Sequence, residues 1–170
     1  TQTSKGFGDY TYSRPNRRYA AWRRRNPRTP ILPSTHRPVP SVAIALDTSA
    51  SMGTNEVEAA LGEVEAVLKH NGGNVTFLAA DSDVRACKPV KTAREAQKLV
   101  IGGGGTDFRP VFQVLENAKH RPNIVVFVTD GYGPAPAKAP TWAHVIWVMV
   151  GQYTRSPADW GDVVEVKEAA

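Results

Sequence analysis

The chain has 170 residues, 41% of them hydrophobic and 22% charged, which suits one globular domain with a buried core. Its single cysteine, Cys87, excludes an internal disulfide, no Cys/His cluster has zinc spacing, and no apolar run is long enough to span a bilayer. The net charge of +5 is unevenly placed: nine Lys and Arg against Asp9 alone give residues 1–40 a charge of +8, leaving −3 for residues 41–170. The expectation is a soluble cytoplasmic protein, or a fragment of a longer one, with Cys87 a small buried hydrophobe.

Residues 1–40 lack hydrophobic periodicity and hold six prolines, so a basic, extended segment is expected there and a folded domain over 41–170. The run VAIALD, 42–47, is short and continuously apolar, the pattern of a strand buried on both faces. In TNEVEAALGEVEAVLKHNGG, Val57, Ala60, Leu61, Val64, Val67 and Leu68 fall on one helical face; Asn55 with Glu58 can cap its start and Asn71-Gly72 its end. NVTFLAAD and DVRACKPV predict two strands around a tight turn at Asp81-Ser82, the second placed at a sheet edge by Pro89.

Thr92 and Glu95 form a capping box that opens another helix. After IGGGGTD a third helix is expected, with Phe108, Val111, Phe112, Leu115 and Ala118 on one face and Pro110 in its first turn. NIVVFVTD and HVIWVMVG are further buried strands, and DVVEVK is the last. Strands alternating with helices predict an α/β, doubly wound, mostly parallel sheet covered on both faces, with one antiparallel edge strand.

In such a sheet ligands sit beyond the carboxyl ends of the strands. Three loops leave those ends with oxygen-bearing side chains: Asp47, Ser49 and Ser51; Thr106 with Asp107; and Asp130. Oxygen donors alone suit a hard cation such as Mg²⁺. The four glycines before Thr106 would let that loop come close to its neighbours, although a flexible loop before a helix has the same composition.

Asp47-Thr-Ser49-Ala-Ser51, Thr106 in GGGGTDF and Asp130 in VTDG together resemble the metal-ion-dependent adhesion site (MIDAS) of von Willebrand factor A (VWA) domains, over residues 41 to roughly 167. RPNRRY, ILPS, GGGGTDFRPVF, VTDGYGPAP and WAHVIWV further resemble a bacterial VWA-like family. Its longer members carry an N-terminal metallopeptidase-like domain and are associated with MoxR-type AAA+ ATPases. No HExxH string occurs in this chain, so a peptidase activity does not carry over.

The resemblance implies Ser49 and Ser51 as direct ligands of Mg²⁺, with Mn²⁺ or Ca²⁺ as alternatives. Thr106 would be direct or water-bridged, and Asp47 and Asp130 would act mainly through water and hydrogen bonds. An ion so weakly neutralised favours an Asp or Glu offered by a partner protein, a MoxR-type ATPase or a protein it remodels. Asp107 either joins this site or caps the helix beginning at Phe108. Residues 131–140 either shape specificity or simply cross over.

An enzyme reading lacks a base: His36 lies in the arm, His70 and His120 close helices, and His144 begins a strand. DTSAS lacks the second aspartate of aspartyl-phosphate enzymes, SASMG lacks the first glycine of a nucleophile elbow, and IGGGGTD is no Walker loop. A non-catalytic module is therefore expected. The rival function is nucleic-acid binding through residues 5–28, where Tyr10, Tyr12, Tyr19 and Trp22 interleave with arginines. The match of RPNRRY and ILPS to the family favours instead a segment that packs against protein.

Overall fold

The computed structural model describes residues 9–11, 22–26, 28, 32–36, 40–70, 75–100, 103–151 and 155–166. They fall in two compact units, Thr1–Val39 and Pro40–Ala170. In the first, strands β1 (Asp9–Thr11) and β2 (Ser34–His36) pair antiparallel, with Asp9 opposite His36. The sequence predicts extended backbone there but not this pairing, which satisfies peptide groups that extended chain leaves open. Most of the arginine and tyrosine run lies outside the described residues; Trp22 is exposed.

The second unit is built on a six-stranded sheet. Its strands are β3 (Val42–Asp47), β4 (Val75–Ala80), β5 (Val84–Val90), β6 (Ile124–Thr129), β7 (His144–Met149) and β8 (Asp162–Glu165). Their order is β5-β4-β3-β6-β7-β8, parallel throughout except for β5, which returns antiparallel along β4 at the edge. This is the α/β fold expected, with Pro89 on the edge strand, where its missing N–H costs least.

Alternate residues of the central strands feed two cores. Ile44, Leu46, Val126 and Val128 face one side with Ala60, Val64 and Leu68 of helix α1 (Thr54–His70) and Ala96 of helix α2 (Ala93–Gln97). Ala43, Ala45, Phe127 and Trp147 face the other with Val111, Phe112 and Leu115 of helix α3 (Arg109–Glu116). Trp147 is fully buried among Phe108, Phe112, Phe127 and Trp160, and its indole N–H donates to the Trp160 carbonyl at 2.9 Å. No described helix is long and apolar enough to cross a membrane.

Several local expectations are corrected. Helix α1 starts at Thr54, and the Gly53 carbonyl accepts from the Val57 N–H, so Asn55 lies inside the helix and does not cap it. The expected Asn71-Gly72 stop lies outside the described residues. Thr92 does accept from the Glu95 N–H, but the Glu95 carboxylate reaches back to Lys91 rather than to Thr92. Helix α3 ends at Glu116, so Ala118 and His120 lie beyond it, in the connection to β6. Cys87 is exposed, not buried: β5 is an outer strand, and its residues from Cys87 to Pro89 are exposed while Val90 is covered.

Candidate functional site

The chain order β3, β4 on one side and β6, β7 on the other makes the β3/β6 boundary the point where the sheet reverses direction of growth. Crevices beyond the carboxyl ends of strands at such a boundary are where α/β sheets bind ligands. Asp47 ends β3, and Thr129 ends β6 with Asp130 next.

Asp47 is buried, yet both of its oxygens are engaged. Oδ1 accepts from the Ser49 N–H at 3.0 Å, and Oδ2 accepts from the Thr129 hydroxyl at 2.7 Å. The first bond folds the chain back after β3; the Ser49 carbonyl then accepts from the Met52 N–H and sets the turn. The turn brings Ser49 Oγ and Ser51 Oγ to 3.0 Å from each other, Ser49 buried and Ser51 exposed. Burial pushes the Asp47 carboxyl above its ordinary pKa, as does the charge of Asp130, while the bonds from Thr129 and Ser49 pull it back.

The glycine-rich loop packs on this turn as expected of a backbone without Cβ atoms. The Gly103 N–H donates to the Thr48 carbonyl at 2.9 Å, and the Ala50 N–H donates to the Gly104 carbonyl at 3.3 Å. A Cβ on Gly104 would stand 2.7 Å from Asp81 Oδ2. Thr106 follows, half-buried, and lines an open cleft together with Asp130. Asp130 is buried and accepts from the Tyr132 N–H at 3.1 Å. The structure thus places all five candidate residues at one end of the sheet, Asp47 as the last residue of β3 and Ser49, Ser51, Thr106 and Asp130 on the loops beyond it.

Asp107 serves the helix: its carboxylate accepts from the Arg109 N–H at 2.9 Å and pairs with the Arg109 guanidinium at 2.6 Å. It does so from one position before Phe108, the residue at the helix boundary, whose own side chain makes no capping bond. The hydrogen bonds from Arg109 hold the Asp107 pKa below its ordinary value.

Sequence reasoning missed Thr129 and Asp81. Thr129 is fully buried and accepts from the Gly131 N–H at 3.0 Å while donating to Asp47. Asp81, assigned only to a turn, is buried with both oxygens 3.0 Å from Arg85 Nε, and its carbonyl accepts from the Asp107 N–H at 2.9 Å. It braces the loop that presents Thr106. Its place just after β4 at the same sheet end was the available signal.

Among the described residues no three His, Cys, Asp or Glu side chains gather as a metal cluster. A cation here would therefore depend on hydroxyl donors beside the two carboxylates. The described His120 and His144 lie at the opposite sheet end: His120 precedes β6, and His144, bonded to Asp162 at 2.7 Å, begins β7.

Residues 42–167 match the family model of the VWA-like domain (DUF2201). An uncharacterized protein of Thermotoga maritima is 27% identical over 126 residues, covering 72% of this chain and 28% of that protein. The chain thus spans less than a third of that relative's length.

Proposed function

The chain belongs to the VWA-like domain (DUF2201) family, and from that premise we propose that residues 41–170 form a metal-dependent recognition module for an acidic side chain of a partner protein. The observation that carries this reading is the pair of serine hydroxyls, Ser49 Oγ and Ser51 Oγ, 3.0 Å apart above the buried Asp47 carboxylate. An octahedral Mg²⁺ with oxygens at ~2.1 Å sets adjacent ligands ~3.0 Å apart, so the pair fits one edge of such a shell.

Charge supports the same reading. A buried carboxylate whose ionisation is disfavoured, with a second carboxylate nearby, gains from a cation beside it. Ser49 and Ser51 would hold Mg²⁺ directly, with Mn²⁺ or Ca²⁺ as alternatives; Thr106 would be direct or water-bridged, and Asp47 and Asp130 would orient the shell. The chemistry such an ion supplies when bound is a position open to an external carboxylate. Neutral hydroxyl donors leave its charge available for that contact.

This reading is non-catalytic, in keeping with His120 and His144 standing at the far sheet end. By the resemblance to the bacterial VWA-like family, the partner is a MoxR-type AAA+ ATPase or a protein that it remodels, in the cytoplasm. Calorimetric titration of Mg²⁺ into EDTA-stripped protein tests the reading. Saturable binding that Ser49→Ala/Ser51→Ala abolishes is expected; no binding, or binding unchanged in the double variant, would overturn it.

A further inference from the structure

Beside the hydroxyl cluster lies an open cleft of about 630 Å³, a size that receives side chains and small ligands. Thr106 and Asp130 line it on the side of the cluster, with Tyr132 and Pro134 beyond them and the segment from Arg155 to Asp159 also lining it. The two segments meet at Gly131, whose φ is +89° and where a Cβ would run into the Arg155 carbonyl. Only glycine permits that approach, and it sets Arg155 close to Asp130. Arg155 is exposed and pairs with no carboxylate among the described residues, although two, Asp130 and Asp159, share the cleft with it.

Resting on the metal-dependent reading above, we propose that this cleft is a second subsite in which Arg155 takes a second carboxylate of the same partner segment. The preferred ligand is then an extended peptide with two acidic residues, one for the hydroxyl cluster and one for Arg155. A guanidinium presents a planar fork of donors matched to a carboxylate, a role that a free arginine at a cleft wall is suited to fill. Acidic residues two apart on an extended chain point to the same side, roughly 7 Å from each other. Tyr132, exposed at 59%, and Pro134 offer the intervening residue an apolar surface.

The charges of the lining make this preference conditional. Asp130 and Asp159 outnumber Arg155, so the cleft without a cation repels an acidic segment. A divalent ion at the adjacent hydroxyls offsets that excess of negative charge. Selectivity for the doubly acidic ligand therefore appears only with metal.

Two fluorescein-labelled Gly/Ala peptides test the proposal, one with a single central Glu and the other with a further Glu two residues on. Fluorescence anisotropy is read with the wild type and Arg155→Ala, in Mg²⁺ and in EDTA. The wild type in Mg²⁺ should bind the double-Glu peptide roughly tenfold more tightly, the effect of one charge-assisted contact. Arg155→Ala should abolish that preference by weakening the double-Glu peptide far more than the single-Glu peptide, and Arg155→Glu should invert it. Equal affinity of the wild type for both peptides in Mg²⁺ would overturn the second subsite alone. A preference that survives Arg155→Ala would do the same, whereas failure of both peptides to bind in Mg²⁺ would overturn the metal-dependent reading as well.

Discussion

The Thr129 hydroxyl donates to the buried Asp47 carboxylate across 2.7 Å, tying the end of β6 to the end of β3 at the point where the candidate site is built. The same hydroxyl accepts from the Gly131 N–H, so one side chain sets both the carboxylate and the start of the next loop. Thr129→Val keeps the shape and removes both bonds. It should lower stability by about 1–3 kcal/mol in urea unfolding, because a buried carboxylate oxygen and a half-buried amide lose their partner.

Gly104 and Gly62 should respond oppositely to the same substitution. A methyl on Gly104 would stand 2.7 Å from Asp81 Oδ2, an oxygen fixed by Arg85, so the loop carrying Thr106 must shift. Gly104→Ala should cost about 1–3 kcal/mol and weaken Mg²⁺ binding. Gly62 lies within α1 with nothing near its open Cβ position, so Gly62→Ala should stabilise by about 0.5–1 kcal/mol. Urea midpoints of both variants check the pair.

Asp81 should make stability depend on acid pH. Burial opposes its ionisation, but the hydrogen bonds from Arg85 and the Asp83 N–H outweigh burial and hold its pKa below the ordinary value. The unfolded chain takes up this proton near pH ~3.9, and the folded chain resists it to lower pH. The stabilisation is therefore present above that value and lost as pH falls through the depressed folded pKa. The gap between wild type and Asp81→Asn, measured in urea at constant temperature, should shrink from about pH 5 toward pH 2.

Cys87 should react with Ellman's reagent in the native protein, without denaturant. Its thiol is exposed, yet partial desolvation raises its pKa above the ordinary value. Since the thiolate is the reacting species, labelling should be slow at neutral pH and accelerate on the alkaline side. A thiol that reacts only after unfolding would contradict the placement of β5.

The sheet was legible because β3, β4 and β6 each announce themselves twice, as an apolar run and by an aspartate, Asp47, Asp81 or Asp130, at or just past the strand end. VAIALD and IVVFVT are buried on both sides, and only β6 has an incompletely buried first residue. Pro89 marked the edge strand by its missing donor. Helix boundaries were less legible: Asn55 has the chemistry of a cap, but the chain begins its helix one residue earlier because the Gly53 carbonyl starts the hydrogen-bond ladder. Cys87 was misplaced because a residue's burial on an outer strand depends on what covers it, and no local pattern encodes that.

The candidate site was legible in its oxygen-bearing side chains and not in their supports. DTSAS, GGGGTD and VTDG gave the hydroxyls and two carboxylates. Thr129 and Asp81 stayed unseen because their roles lie in contacts far along the chain, Thr129 to Asp47 and the Asp81 side chain against Gly104. Such pairings follow from the register of β3 with β4 and β6, which brings these strand ends side by side.

Metal binding at the serine pair is read from an anomalous difference map of crystals grown with Mn²⁺ as a stand-in for Mg²⁺. One strong peak is expected within direct coordination distance, roughly 2 Å, of both Ser49 Oγ and Ser51 Oγ, with Thr106, Asp47 and Asp130 around it. A map with no peak at these hydroxyls, at saturating Mn²⁺, would contradict metal binding there.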